Sequence, residues 1–207
     1  MAGTIAALDN DIGVIGVAPE TSLYILKIFT DGGSYSDAVE AIEWCIGTYY
    51  DSSTENEIQT ISMSWGSKLQ YGDPGIEPWI DEAYSVGIVL VGAAGNEGNS
   101  RGKGDNVIYP ARYDNVIAVA ATDENNNRAT WSSTGPAVEL SAPGVNIPST
   151  YLNGRYAYGS GTSMACPHVS GTVALVLYTA VDVAYDLNGN GKWDPNEVRK
   201  KQATADD

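Results

Sequence analysis

Histidine is nearly absent from this 207-residue chain: there is one, His168, so any chemistry that needs an imidazole has a single candidate. Cysteine is scarce as well. Cys45 and Cys166 are too few for a disulfide framework, and both fall in patterns of buried helix, where a thiol acts as a small core side chain. Basic residues are outnumbered, 11 Lys and Arg against 26 Asp and Glu, for a formal net charge of -15. Such a surface repels nucleic-acid phosphates and anionic headgroups, so neither nucleic acid nor membrane is an expected partner. No stretch approaches a membrane-spanning length of uninterrupted apolar residues. The opening MAGTIAALDNDIGVIGVAP lacks the basic leader and apolar core of an export signal.

What is present is the composition of a turn-rich globular protein, with 43% hydrophobic residues, 23 Gly and 9 Pro. The length suits one domain, taken as 1–207. Apolar, β-branched runs recur at SLYILKIF, IQTISMSW, GIVLVGAAG and NVIAVAATD, each bounded by turn residues, and they read as buried strands. Between the first two, Val39, Ile42, Ile46 and Tyr49 follow helical spacing, with Ser36 as the expected cap. EPWIDEAYSVG reads as a second helix, with Pro78 in its first turn and Gly87 at its end. Strands alternating with helices predict an α/β fold, a mostly parallel sheet covered on both faces. Ligands then sit beyond the strands' carboxyl ends, at SWGS and AAGNEG.

Three stretches carry candidate chemistry. In GSGTSMACPHVSG, Ser163 precedes an all-round apolar helix, with Pro167 expected in the first turn. A serine there is either a helix cap or a nucleophile in a positive field with free amide donors. His168 lies five residues further on, about 140° around and about 7.5 Å along an ideal helix, out of reach of the Ser163 hydroxyl. In AAGNEG, Asn96 closes a strand among residues small enough for a substrate backbone to approach; it is either an oxyanion donor or a turn residue. DLNGNGKWDPNE has the calcium-loop rhythm, with Asp186, Asn188, Asn190, the Lys192 carbonyl, Asp194 and Glu197 as ligands and Gly191 at the turn.

Taken together, AGTIAALDNDIGVIGVAP, ISMSWGS, AAGNEG, TWSSTGPAVELSAPGV and GTSMACPHVSG occur in the order found in the subtilisin-like serine proteases, and the resemblance runs over essentially the whole chain. It implies a three-layer sandwich around a mostly parallel sheet, here without its amino-terminal strands, and peptide-bond hydrolysis through an acyl-enzyme on Ser163. Asn96 and the Ser163 amide would form the oxyanion hole. Ser64, Trp65 and Gly66 would pair with the substrate backbone, opposite Ala94 and Gly95. Glu97 and Ile108 would lie at the floor and rim of the pocket before the scissile bond, where a bulky Ile108 favours small or medium side chains. The carbonyls of Leu8, Ile12 and Val14 with the Asn10 side chain match a calcium loop whose other ligands lie upstream in the family. Family habit further implies a secreted monomer acting on polypeptides.

The chain departs from that family where the base should be. The family orders Asp, His and Ser along the sequence, with the histidine in HGTHVAGT. Here the sequence starts at MAGT, which places that histidine four residues before Met1 and leads to the expectation of a clipped or split chain, inactive alone. The alternative is a non-catalytic, calcium-binding homologue that captures extended peptides. A nucleotide-binding domain is disfavoured because neither glycine-rich stretch has Gly-Lys-Ser/Thr or the dinucleotide fingerprint, and an α/β-hydrolase because Ala165 stands where its nucleophile elbow has glycine.

Overall fold

The computed structural model describes residues 1–29, 34–51, 57–68 and 72–183. In chain order these form α1 (Ala2–Ala6), α2 (Tyr35–Tyr50), β1 (Thr60–Met63), α3 (Glu77–Ser85), β2 (Val89–Ala93), β3 (Ile117–Thr122), β4 (Val138–Pro143), β5 (Ile147–Tyr151), β6 (Arg155–Gly159) and α4 (Thr162–Val183). Strands β1 to β4 make one parallel sheet in sequential order, and β5 and β6 an antiparallel ribbon beside it. The α/β expectation therefore holds.

Alternation along the strands makes the layers. Leu90 packs with Ile42, Cys45 and Ile46 of α2 and with Ile80 and Ala83 of α3. Its neighbour Val91 turns to the opposite face, with Ala93, Val119 and Ala121, against Ala165, Cys166 and Val169 of α4. Because both faces are covered there, β2 and β3 lack polar alternation, which is what made them legible as continuous apolar runs. Burial pushes the Cys45 thiol up to about 11 and raises that of Cys166 as well, as expected for cysteines used as core residues.

Three readings are corrected. The run SLYILKIF, expected as a buried strand, is irregular and has no ladder partner; Leu23, Tyr24, Ile25, Leu26 and Phe29 are exposed. A cleft of about 1680 Å³ is lined by both this run and β1. The cap of α2 is Ser34, not Ser36: its hydroxyl accepts the Asp37 amide and the Asp37 carboxylate accepts the Ser34 amide. Pro167 falls in the second turn of α4, since the helix starts at Thr162. Pro78 does sit at the start of α3, and Gly87 follows its end with φ +100°, a conformation glycine adopts without strain.

Candidate active site

Parallel pairing sets Met63 beside Gly92, so β1 and β2 finish together and deliver Ser64–Gly66 and Ala94–Glu97 to the same edge of the sheet. The amino terminus of α4, which crosses all four strands on one face, arrives there too. Ser163 lies in its first turn, half-buried, and its hydroxyl donates to the Ser64 carbonyl at 3.0 Å. Among the described residues its amide has no backbone acceptor, whereas those of Met164 and Ala165 donate to the Gly161 carbonyl.

Asn96 is exposed, but its side chain is fixed at one end. Oδ1 accepts from the Thr162 amide at 3.0 Å and from the Thr162 hydroxyl at 3.2 Å, which leaves Nδ2 as the outward donor. Asn96 Nδ2 and the Ser163 amide nitrogen each lie 3.7 Å from the position a Cβ would take on Gly161. Two donors thus lie near one point beside the serine. Thr162, which the sequence reading passed over, also accepts the buried Gly95 amide at 3.0 Å, so one hydroxyl fixes both Gly95 and Asn96. Its only sequence signal was its place beside the candidate serine.

Several other residues named from the resemblance lie close together. Gly66 and Gly95 face Ile108 from two sides: a Cβ on Gly66 would stand 2.8 Å from Ile108 Cδ1, and one on Gly95 2.9 Å from its Cγ2. The Ile108 amide donates to the carbonyl of fully buried Ala94 at 3.0 Å. The Glu97 carboxylate lies against Gly95, accepts from the Ser133 hydroxyl at 3.5 Å and is paired with Lys68. Ser67 and Tyr109 exchange backbone bonds, while the backbone of Ser64–Gly66 just before them belongs to no ladder. Trp65 turns away from this cleft, half-buried against Tyr35 and the α2–α3 core. The Ser64 hydroxyl is buried beside Cys166.

Among the described residues no base accompanies these groups. His168 Nδ1 donates to the Met164 carbonyl at 2.8 Å, one turn back on the same helix, so the ring is committed away from Ser163. Thr172 in turn donates to the His168 carbonyl, a helix contact and not a relay.

The two calcium readings fare differently. Residues 186–197 lie outside the described residues. In the 8–14 loop, Asn10 Oδ1 accepts the Ile12 amide at 3.3 Å and the Ile12 carbonyl accepts the Tyr156 hydroxyl at 3.4 Å. Both oxygens are engaged by the protein itself, and among the described residues no group of three His, Cys, Asp or Glu is gathered to hold a metal ion. Among the described residues no helix is long and apolar enough to cross a membrane.

Comparison with known proteins follows the same lines. The model of the subtilase family matches residues 1–202. The chain is 48% identical to subtilisin DY of Bacillus licheniformis over 179 residues, 86% of this chain and 61% of that protein. It is 48% identical to the thermostable alkaline protease of Halalkalibacterium halodurans, over 85% of this chain and 45% of that one. Subtilisin E of Bacillus subtilis is 46% identical over 86% of this chain and 44% of its own length. The chain thus spans about half the length of the curated relatives it matches.

Proposed function

Because this chain belongs to the subtilase family, we propose that it holds the nucleophile and oxyanion portion of a serine endopeptidase site acting on extended polypeptides. The observation that carries this reading is the point near which Asn96 Nδ2 and the Ser163 amide both lie, beside the Ser163 hydroxyl. A peptide carbonyl placed there would be attacked by Ser163 Oγ. The Oγ–carbon bond forms, the carbonyl electrons move onto oxygen, and the two amide donors stabilise that charge. Collapse of the intermediate breaks the C–N bond, the leaving amine takes a proton, and water then hydrolyses the ester left on Ser163. Ser64–Gly66, outside any ladder, would hold the substrate backbone by strand addition, opposite Ala94 and Gly95. Ile108 fills the space between Gly66 and Gly95 and so favours a small or medium side chain ahead of the scissile bond.

The step the described residues do not serve is removal of the Ser163 proton. Their one imidazole is bonded to Met164, and the hydroxyl's acceptor is a neutral carbonyl. In subtilisin itself, loss of the histidine costs on the order of 10⁶-fold in turnover. We therefore expect the isolated chain to be almost inactive and rescued by a base supplied from solution. A fluorophosphonate probe should label it slowly, faster with added imidazole, and not at all in Ser163→Ala. Labelling that persists in Ser163→Ala refutes the assignment of the nucleophile.

The committed His168 also supports a second reading, a homologue that binds extended peptides without cutting them. Peptide affinity with no labelling at any imidazole concentration would select it. In either case the 186–197 loop is our proposed calcium site, with ligands Asp186, Asn188, Asn190, Lys192, Asp194 and Glu197, while Leu8, Asn10, Ile12 and Val14 are at most a partial set. Calorimetry should report binding that Asp186→Ala abolishes. An unchanged isotherm in that variant removes the proposal. Action outside the cell, as a monomer, completes the reading carried over from the family.

A further inference from the structure

The two walls of the pocket end in opposite charges. Two residues past Gly66 is Lys68, and two residues past Gly95 is Glu97; Lys68 Nζ stands 3.3 Å from Glu97 Oε1. The carboxylate lies inside this arrangement, its Oε2 only 2.4 Å from where a Cβ on Gly95 would be, and its side chain is 22% exposed. Its backbone amide donates to Ser133 Oγ at 3.2 Å, and Ser133 is itself fully buried, with its amide donating to the Gly95 carbonyl. Glu97 is therefore held in place from below whether or not Lys68 is present. Lys68 contributes something different: with a side chain 70% exposed, it reaches from the segment after Gly66 to the carboxylate after Gly95.

We infer that Lys68 is a specificity-determining residue: by neutralising Glu97, it disfavours basic side chains at the position before the scissile bond and leaves that position to uncharged ones. This rests on the peptide-cleft reading above and adds to it a substrate class. A carboxylate at a pocket's end, half desolvated, attracts a lysine or arginine side chain in the substrate. An ammonium already bonded to it cancels that attraction and repels the incoming cation. The chain's overall acidity makes the point sharper, since at -15 a basic substrate is favoured by the long-range field and only a local device opposes it in the pocket.

The test is competitive binding to the full 207-residue chain of peptide aldehydes that differ only in the terminal residue, Ala, Lys or Glu, whose side chain enters the pocket. The wild type should prefer Ala over Lys. Lys68→Met keeps the length and removes the charge, and should raise affinity for the Lys aldehyde about two- to fivefold, with the Ala aldehyde unchanged and the gain lost at high salt. Glu97→Gln should do the reverse, raising affinity for the Glu aldehyde and not for Lys. A Lys-to-Ala ratio that stays the same in Lys68→Met overturns the inference while the cleft reading survives. If no aldehyde binds whatever its terminal residue, the cleft reading fails and the inference falls with it. Thermal melts of both variants at the wild-type temperature would show that the readout is not a folding defect.

Discussion

Replacing Thr162 with valine removes a single hydroxyl and preserves shape, and the structure says what that hydroxyl does. It accepts the Gly95 amide and donates to Asn96 Oδ1, at a residue that is 1% exposed. In Thr162→Val the Gly95 amide is left buried without an acceptor, which costs about 1–3 kcal/mol, and Asn96 keeps one of its two bonds, from the residue 162 amide. The expected total is about 2 kcal/mol. For a chain of this size that corresponds to a fall in melting temperature of about 4–8 °C. The same change loosens Nδ2, so affinity for a peptide aldehyde should fall about fivefold, the equivalent of one hydrogen bond. Thr162→Ser keeps the hydroxyl and loses a methyl, and should restore most of the affinity. The assay is a thermal melt paired with aldehyde binding for wild type, Val and Ser variants. If Thr162→Val melts with the wild type, or if Ser loses as much affinity as Val, the hydroxyl does not organise the oxyanion donors.

Two further predictions bear on what supports the site. The Arg128 guanidinium donates to the carbonyls of Ala129, Thr130, Ser132 and Asn99, tying the loop after Asn96 to the segment before Ser133. Arg128→Met should cost about 2 kcal/mol and speed hydrogen exchange at Gly98, whose amide donates to Trp131 O at 2.8 Å; Arg128→Lys should not rescue it, because an ammonium lacks the planar fork. The second concerns pH. The folded state holds the Cys45 thiol at about 11, above an unfolded thiol. Its contribution is thus complete below the unfolded value of about 8.5 and is lost as pH rises toward 11, because in that range only the unfolded chain gives up the thiol proton. Urea midpoints should fall between about pH 9 and 11, less steeply in Cys45→Ala than in the wild type; parallel slopes would contradict the assignment.

The elements most legible in sequence were those whose stability is local or whose pattern survives burial. Helix α3 announced itself through Pro78 and Gly87, and β2 and β3 through apolar runs that two covered faces demand. Strand β4, VELSAP, was not read as a strand from its pattern, because four of its six residues are exposed and it has no continuous apolar run. The β5–β6 ribbon, mostly exposed, was invisible for the same reason. Ser34 and Ser36 both suit a cap, and only the start of the first helical turn distinguishes them.

By itself the sequence determined the kinds of groups present: one imidazole, a serine ahead of an apolar helix, an asparagine closing a strand, and strands patterned for burial on both faces. Tertiary structure decided which of them meet. It set Asn96 against Thr162 so that its amide nitrogen faces Ser163's amide, turned His168 onto Met164, paired Lys68 with Glu97, and left the apolar run 22–29 without a ladder. The physical reason is that side-chain chemistry and period are properties of neighbours along the chain, whereas a hydrogen bond or a strand pairing between residues 66 or 99 positions apart exists only once the parallel register has aligned the strand ends.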